Sequence, residues 1–415
     1  MKVLITEEAL ETGAGHWPSY IGDLASRFRA MGDTVDVLIH QNATSAVVSR
    51  VGGTPWYSRN CWDDSRSQGK VKGLLHNRYF YRETMRFLRT RPSYDRVLAL
   101  TMRMQHLLAY AAMARSGTIP ESTRFVLLFV QGFGQYAGPG VPTTFPQNLS
   151  SKIAKTAFRA LAPAVKSGRV ILAGETAGMC NELHRFSGLP TTLFPHPVHL
   201  PESEQTMESA AVASGHREEM DPGRVLTVTC PGYARHEKGS DLLHDTILKI
   251  LDQPWASRLK FVLQWPDAFG MPGGGTMSPD SKLVSSDRVQ FLNHSLDPAA
   301  YSALLDRSDL VILPYRSESY HQRLSRVAIE AAGKGIPLIH TIHTWTQEVA
   351  DLVGCGVPIL EESPDAIVES LRDANSRFTE IKRAAQCGAE RVCSFHTAET
   401  FHKLLRPKAM DDDGE

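Results

Sequence analysis

The chain has 415 residues, and its 45 Lys and Arg balance its 45 Asp and Glu, so the formal charge is zero. That length exceeds one ordinary core and predicts two domains of about 200 residues each. The balanced charge and ordinary apolar share exclude a disordered chain and bulk nucleic-acid binding, and the absence of any run of about 18 apolar residues predicts no membrane span.

The chain begins Met-Lys-Val-Leu-Ile-Thr-Glu-Glu, a short apolar run followed by acids, which reads as a first strand rather than a signal peptide. Gly13-Ala14-Gly15-His16 follows, then a helix over 17–31 with Ile21, Leu24, Ala25 and Phe28 on one face, closed by Gly32. Residues 34–39 predict the second strand. Gly13 and Gly15 let a backbone approach a ligand at a helix start, where N–H groups favour anions. A dinucleotide fingerprint is incomplete here: Pro18 stands where a third glycine belongs, and His40 replaces the acid that would hold a ribose. Another glycine pair, Gly132-Phe-Gly134, runs into Gly138-Pro139-Gly140 and cannot open a helix.

Residues 59–96 carry an excess of Lys and Arg around Tyr79, Phe80, Tyr81 and Phe87. The pattern reads either as a solvated helix face or as a surface for an anionic acceptor or a membrane. The basic helix over 151–166 carries the same two readings. Strands over 97–100, 125–130, 170–173 and 191–194 alternate with helices, as a doubly wound parallel sheet requires. From 201 to 223 the chain turns polar and acidic without periodicity, and this stretch separates a first domain over 1–200 from a second over 224–390.

The second half repeats the plan. Strands are expected over 225–230, 259–264, 289–291, 310–313, 336–339 and 357–360, with helices over 241–251, 298–306, 322–332, 364–375, 378–391 and 397–405. Residues 267–280, rich in Gly, Pro and Met, predict a mobile loop, and 410–415 an acidic, disordered tail. Six cysteines, at 61, 180, 230, 355, 387 and 393, lack CxxC pairs and read as buried free thiols of a cytoplasmic protein.

The chemistry centres on two loops at one sheet edge. Arg235 and Lys238 follow a strand and precede Gly239 and a helix, so fixed cations and backbone N–H groups are offered to a phosphate. Taken alone, two loop cations are ordinary surface charge. The loop before Ser325 leaves the same edge, and Glu330 sits in the apolar stretch behind it, where burial demands partners and a carboxylate can accept ribose hydroxyls. The sequence has no Asp-x-Asp metal motif in its body, no zinc spacing, no Walker loop and no Gly-x-Ser-x-Gly elbow.

Gly232-x-x-Arg235-x-Glu237-Lys238-Gly239, Leu-Pro314-Tyr315, Tyr320-x-x-Arg323-x-Ser325, Glu330-Ala331, Gly335-Ile-Pro337 and Thr344-Trp345 together resemble the donor half of retaining glycosyltransferases of family 4, and Gly13-Ala14-Gly15-His16 fits their acceptor half. The resemblance is densest over 225–356. It implies a GT-B fold, α/β, with two Rossmann-like doubly wound domains across a cleft and a C-terminal helix within 391–415 crossing back to the first domain. It implies a nucleotide-diphosphate sugar as co-substrate, with no metal or other cofactor, and a hydroxyl acceptor that is a glycan, lipid-linked or small molecule. Peripheral contact at the inner membrane face, through the basic helices, goes with a lipid-linked or anionic acceptor. Arg235 and Lys238 would stabilise the diphosphate, Glu330 hold the ribose, and Gly239, Gln322, Ser325 and Arg326 complete the donor side. Gly13, Gly15, His16 and Gln131 fall on the acceptor side, with His16 the polar group nearest the reacting carbon.

Three positions depart from the family pattern. Gln322 replaces a sugar-binding Glu, Gln131 stands where a His is common, and Arg326, where Gly is usual, adds a phosphate contact or crowds the site. These departures keep two alternatives open: a non-catalytic GT-B subunit that binds a sugar nucleotide or a partner glycosyltransferase, and a GT-B epimerase or phosphorylase.

Overall fold

The computed structural model describes residues 1–13, 17–62, 70–91, 93–198, 224–266 and 268–406. Gly15, His16, the 201–223 stretch and the acidic tail lie outside the described residues. The chain divides into two units: Met1–Ala137 with Pro142–Pro197 and 397–415, and Gly138–Val141 with Val198–His396. No helix among the described residues is long and apolar enough to cross a membrane.

The first unit is built from β1 (Lys2–Glu7), α1 (Trp17–Ala30), β2 (Thr34–His40), α2 (Ser45–Val51), β3 (Gly53–Tyr57), α3 (Lys70–Thr90), β4 (Arg96–Met102), α4 (Met104–Ala114), β5 (Arg124–Phe129), α5 (Leu149–Lys166), β6 (Val170–Gly174), α6 (Ala177–Ser187) and β7 (Thr191–Leu193). Its seven strands are all parallel, in the order β3-β2-β1-β4-β5-β6-β7. Helices cover both faces of such a sheet, so its central strands are apolar without alternation; β4 and all but the first residue of β5 are buried.

The second unit contains β8 (Leu226–Cys230), α7 (Ser240–Ile250), β9 (Leu259–Gln264), the antiparallel pair β10 (Phe269–Gly270) and β11 (Thr276–Met277), α8 (Ser281–Val284), β12 (Val289–Leu292), α9 (Pro298–Asp306) and β13 (Leu310–Leu313). It continues through α10 (Ser317–Tyr320), α11 (Arg326–Gly333), β14 (Leu338–Thr341), α12 (Trp345–Val353), β15 (Val357–Ile359), α13 (Pro364–Ser376) and α14 (Phe378–Phe395). The main sheet is again parallel, ordered β12-β9-β8-β13-β14-β15. Counted within its own unit, and leaving out the β10–β11 hairpin, the first sheet runs 3-2-1-4-5-6-7 and the second 3-2-1-4-5-6. The winding reverses between β1 and β4 in one and between β8 and β13 in the other, and ligand crevices form beyond the strand carboxyl ends at such reversals.

After α14 the chain returns to the first unit as α15 (Ala398–Leu405). Ala398, Phe401 and Leu405 join the core that contains Phe28 and Phe194, His402 Nε2 lies 2.7 Å from Asp33 Oδ2, and Arg96 Nε donates to the Leu405 carbonyl at 2.5 Å.

Several elements differ from expectation for physical reasons. The helix expected over 322–332 begins at Arg326, because Ser325 has extended backbone and its hydroxyl accepts the Ala328 N–H; 317–320 forms a separate turn. The loop expected over 267–280 contains the β10–β11 hairpin. The helix expected to end at 391 runs on to Phe395. On α3 the aromatic residues Phe80 and Phe87 are core, while Arg78, Arg82, Arg86 and Arg89 face outward.

Candidate functional site

Strand β8 delivers the chain into Pro231–Arg235, then a single 3-10 turn, His236–Lys238, before α7. Gly239 makes the turn with φ of +64°, a left-handed conformation, and a Cβ there would lie 1.9 Å from the Pro314 carbonyl oxygen. The loop after β8 therefore rests directly on the loop after β13, its neighbour in the sheet.

Arg316 fastens the two loops. Its backbone N–H donates to the Glu237 carbonyl at 3.0 Å, its Nε to the His236 carbonyl at 3.1 Å, and its Nη2 to Asp241 Oδ2 at 2.5 Å. Ser317 adds two hydrogen bonds to Glu362 Oε1, from N–H at 2.7 Å and hydroxyl at 2.6 Å.

On this platform Glu237 lies between two guanidinium groups, 3.5 Å from Arg235 and 3.9 Å from Arg323, both about half exposed. Lys238 stands behind them. Its Nζ would be 2.6 Å from a Cβ on Gly232, and burial, compounded by the charges of Arg235 and Arg323, lowers its ammonium below the usual lysine range. Arg235, Lys238 and Arg323 against Glu237 leave an excess of positive charge at the start of α7, which no side chain caps. Such a place suits a diphosphate.

An aromatic path leads on to α11. Arg323 lies over the Tyr320 ring at 5.1 Å, the Tyr320 and Tyr315 rings are 4.2 Å apart, and the Ser325 hydroxyl donates to Tyr315 Oη at 3.4 Å. Glu330, on the second turn of α11, is buried, and its Oε1 accepts from Arg326 Nε at 2.7 Å. Burial and the Glu330 carboxylate push the Tyr301 phenol well above its ordinary value.

The first unit has its own group at the β1–β4 reversal. Glu8, just beyond β1, accepts from the Cys61 N–H at 2.9 Å and lies 2.7 and 2.9 Å from Nε2 of His76 and His106. Burial opposes its charge, yet the two imidazoles, His106 foremost, hold its carboxyl down at about 2. Glu7 accepts from the Thr101 hydroxyl and is pushed up to about 8 by burial. Gln131 is exposed and accepts from Arg103 at 2.9 Å, and Arg103 covers the Trp62 ring at 3.7 Å. Gly13 has open space around it.

No protein-family model matches the sequence, and no curated protein matches it. Solved structures do. HepE of Anabaena in complex with UDP aligns over 98% of this chain and 98% of its own, with a TM-score of 0.61 and 12% identity, and its complex with UDP-glucose aligns with a TM-score of 0.59. Sucrose-phosphate synthase of Thermosynechococcus elongatus covers 98% of this chain and 97% of its own, at 0.60 and 12% identity. The fold is GT-B. The same architecture also extends to a putative UDP-N-acetylglucosamine 2-epimerase of Listeria monocytogenes, over 97% of this chain and 94% of that one, at 0.52 and 13% identity.

Within this GT-B chain, the structure brings Arg235, Lys238 and Gly239 together, with Ser325 capping α11 and Glu330 on its second turn. Arg326, expected either to add a phosphate contact or to crowd the site, has its Nε engaged by Glu330. The Ser325 hydroxyl caps α11 and reaches Tyr315. Gln322 precedes α11 in the loop. Sequence reasoning left Arg323 and Arg316 out of the site, although Arg323 stood in the Tyr320-x-x-Arg323-x-Ser325 motif. The cluster of Glu8, Cys61, His76 and His106 was missed altogether, because its members come from four separate segments with no regular spacing.

Proposed function

We propose that the chain is a glycosyltransferase that moves a sugar from a nucleotide-diphosphate sugar to a hydroxyl acceptor, retaining the anomeric configuration without a metal on the diphosphate. The observation that carries this reading is the meeting of Arg235, Lys238 and Arg323 at the carboxyl edge between β8 and β13. The fold is shared with structures holding UDP and UDP-glucose.

In this reading the bond from the sugar's anomeric carbon to the diphosphate oxygen breaks, and the bond to the acceptor oxygen forms on the same face. Charge grows on the departing phosphate, where Arg235, Lys238 and Arg323 stabilise it. The acceptor proton passes to that phosphate. Gly239 and Arg316 hold the cations in place before the substrate arrives, so little ordering remains to be done in the reaction. Glu330 holds the nucleotide ribose and is itself oriented by Arg326, while Gln322 offers an amide to the sugar hydroxyls. On the acceptor side, Gly13, Gly15, His16 and Gln131 receive the acceptor hydroxyl. The outward Arg face of α3, with the exposed apolar residues Trp62, Val71, Leu74 and Leu75, favours a lipid-linked or anionic acceptor handled in the cytoplasm at a membrane surface.

A thermal-shift series with UDP, GDP, ADP and TDP tests the donor assignment, since a ligand bound only by the native state raises its stability. One nucleoside diphosphate should stabilise the chain in the presence of a chelator, and hydrolysis of the matching sugar nucleotide without acceptor should be measurable. A chain stabilised by none of the four loses this reading.

A non-catalytic GT-B subunit is the second reading, favoured by Gln322 and Gln131 in place of the family's Glu and His. It predicts nucleotide binding without hydrolysis or transfer. An epimerase or phosphorylase would instead show epimer formation or phosphorolysis.

A further inference from the structure

Among the described residues, one group of metal-ligating side chains gathers at the β1–β4 reversal of the first unit. Glu8, Cys61, His76 and His106 are all buried, at 2–4% exposure. Nε2 of both imidazoles converges on one carboxylate oxygen, Glu8 Oε1, at 2.7 and 2.9 Å. Donor atoms of Glu8, Cys61 and His106 all lie within 4.8 Å of one another. We propose that these four residues bind a divalent transition-metal ion, with zinc the best fit.

The donor chemistry supports zinc. Thiolate, imidazole and carboxylate are its three protein ligand types, and four protein ligands make a closed structural site. Thiolate and carboxylate cancel the dication, and the two imidazoles bind as neutral ligands, so the buried group carries no net charge. Tetrahedral bonds of about 2.0–2.3 Å set donor atoms about 3.3–3.8 Å apart, so the carboxylate and imidazoles need separate by less than about 1 Å. The Cys61 thiol brings a donor of the type zinc favours to within 4.8 Å of Glu8 and His106, and His76, which reaches that set through Glu8, would swing inward to complete four ligands.

The location gives the ion a task. Glu8 follows β1, Cys61 lies beyond β3, His76 is on α3 and His106 is in the first turn of α4. One ion would fasten the sheet's carboxyl edge to two helices. A cavity of about 10 Å³ lined by Thr6, Glu7, Glu8, Thr101, His106 and Tyr110 adjoins it, enough for one water-sized occupant. The proposal stands on the first unit alone and is independent of the donor-site reading.

The test uses the full chain, purified through a tag that binds no metal. Elemental analysis should find about one zinc per chain. After chelation, cobalt(II) titration should give the visible bands of a tetrahedral site together with thiolate-to-cobalt charge-transfer absorption, and the melting temperature should fall on chelation and recover with zinc. Cys61→Ser should abolish the charge-transfer band, and His106→Ala should weaken cobalt binding by more than about tenfold, with circular dichroism confirming that both variants remain folded. Folded wild-type chain that holds no stoichiometric transition metal and gives no cobalt bands overturns the proposal. So does a Cys61→Ser chain with an unchanged charge-transfer band.

Discussion

Gly239 and Pro314 lie so close that a side chain at 239 has no room between the loops after β8 and β13: a Cβ there would be 1.9 Å from the Pro314 carbonyl oxygen. The positive φ alone disfavours a side chain there, and the clash is with backbone rather than with a movable group. Gly239→Ala should cost about 2 kcal/mol or more, lowering the melting temperature of the second unit by about 4–8 °C. It should also displace Arg235 and Lys238 from each other. Calorimetry and nucleotide titration on one sample check this; wild-type melting with wild-type affinity would show that the loops can separate without cost.

Arg235 and Arg323 reach solvent, so neither is needed for folding, and their loss should be felt by the ligand alone. Arg235→Ala, Arg323→Ala and Lys238→Ala should each weaken nucleoside diphosphate binding by about 1.5–3 kcal/mol, the scale of a charged hydrogen bond, or roughly 10–150-fold. The melting temperature of the Arg235 and Arg323 variants should stay within about 1 °C of wild type. Isothermal titration gives the affinities. Three variants binding as wild type would remove the diphosphate from this edge.

Under the proposed donor assignment, Lys238 should make nucleotide affinity depend on pH. Burial, with Arg235 and Arg323 alongside, lowers its ammonium below the ordinary value. The charge is complete below that lowered value and lost as pH rises through it, so affinity should decline on the alkaline side earlier than a solvated lysine would allow. Bound diphosphate favours the charged form and should draw protons from buffer on binding in that range. Lys238→Arg, which keeps its charge throughout, should flatten the profile. A wild-type profile that is already flat would assign the phosphate contact to the guanidinium groups alone.

Arg326 and Glu330 should behave as a unit. Removing the guanidinium leaves a buried carboxylate with an oxygen unpaired, so Arg326→Met should destabilise by about 1–3 kcal/mol, and adding Glu330→Gln should restore part of that. Glu330→Gln alone should raise the donor KM through the ribose while melting close to wild type. A double-mutant cycle measures the coupling; additive effects on stability would mean that the 2.7 Å contact contributes nothing.

The sequence made the parallel architecture legible because a strand buried on both faces reads as an unbroken apolar run, as Leu310–Leu313 does. It was a poorer guide where one residue decides a boundary. Leu324 fits the helical spacing of α11, yet Ser325 caps the helix one residue later and leaves Gln322 in the loop. Arg235 and Lys238 were readable because both sit in one strand–loop–helix passage. Arg316 was not, because its work is to join that passage to another more than seventy residues away, to Glu237 and Asp241. The Glu8 cluster shows the same limit more strongly, since Glu8, Cys61, His76 and His106 acquire a relationship only when β1, β3, α3 and α4 have assembled.

The return of α15 to the first unit has a consequence for how the protein is made. Phe28 and Phe194 obtain their cover from Phe401, which a ribosome adds only after the whole second unit. The first unit must therefore wait, with part of its interior open, for residues that follow the second unit. Nascent chains halted near residue 396 should engage chaperones through that gap, and a peptide spanning 397–406, supplied separately, should close it.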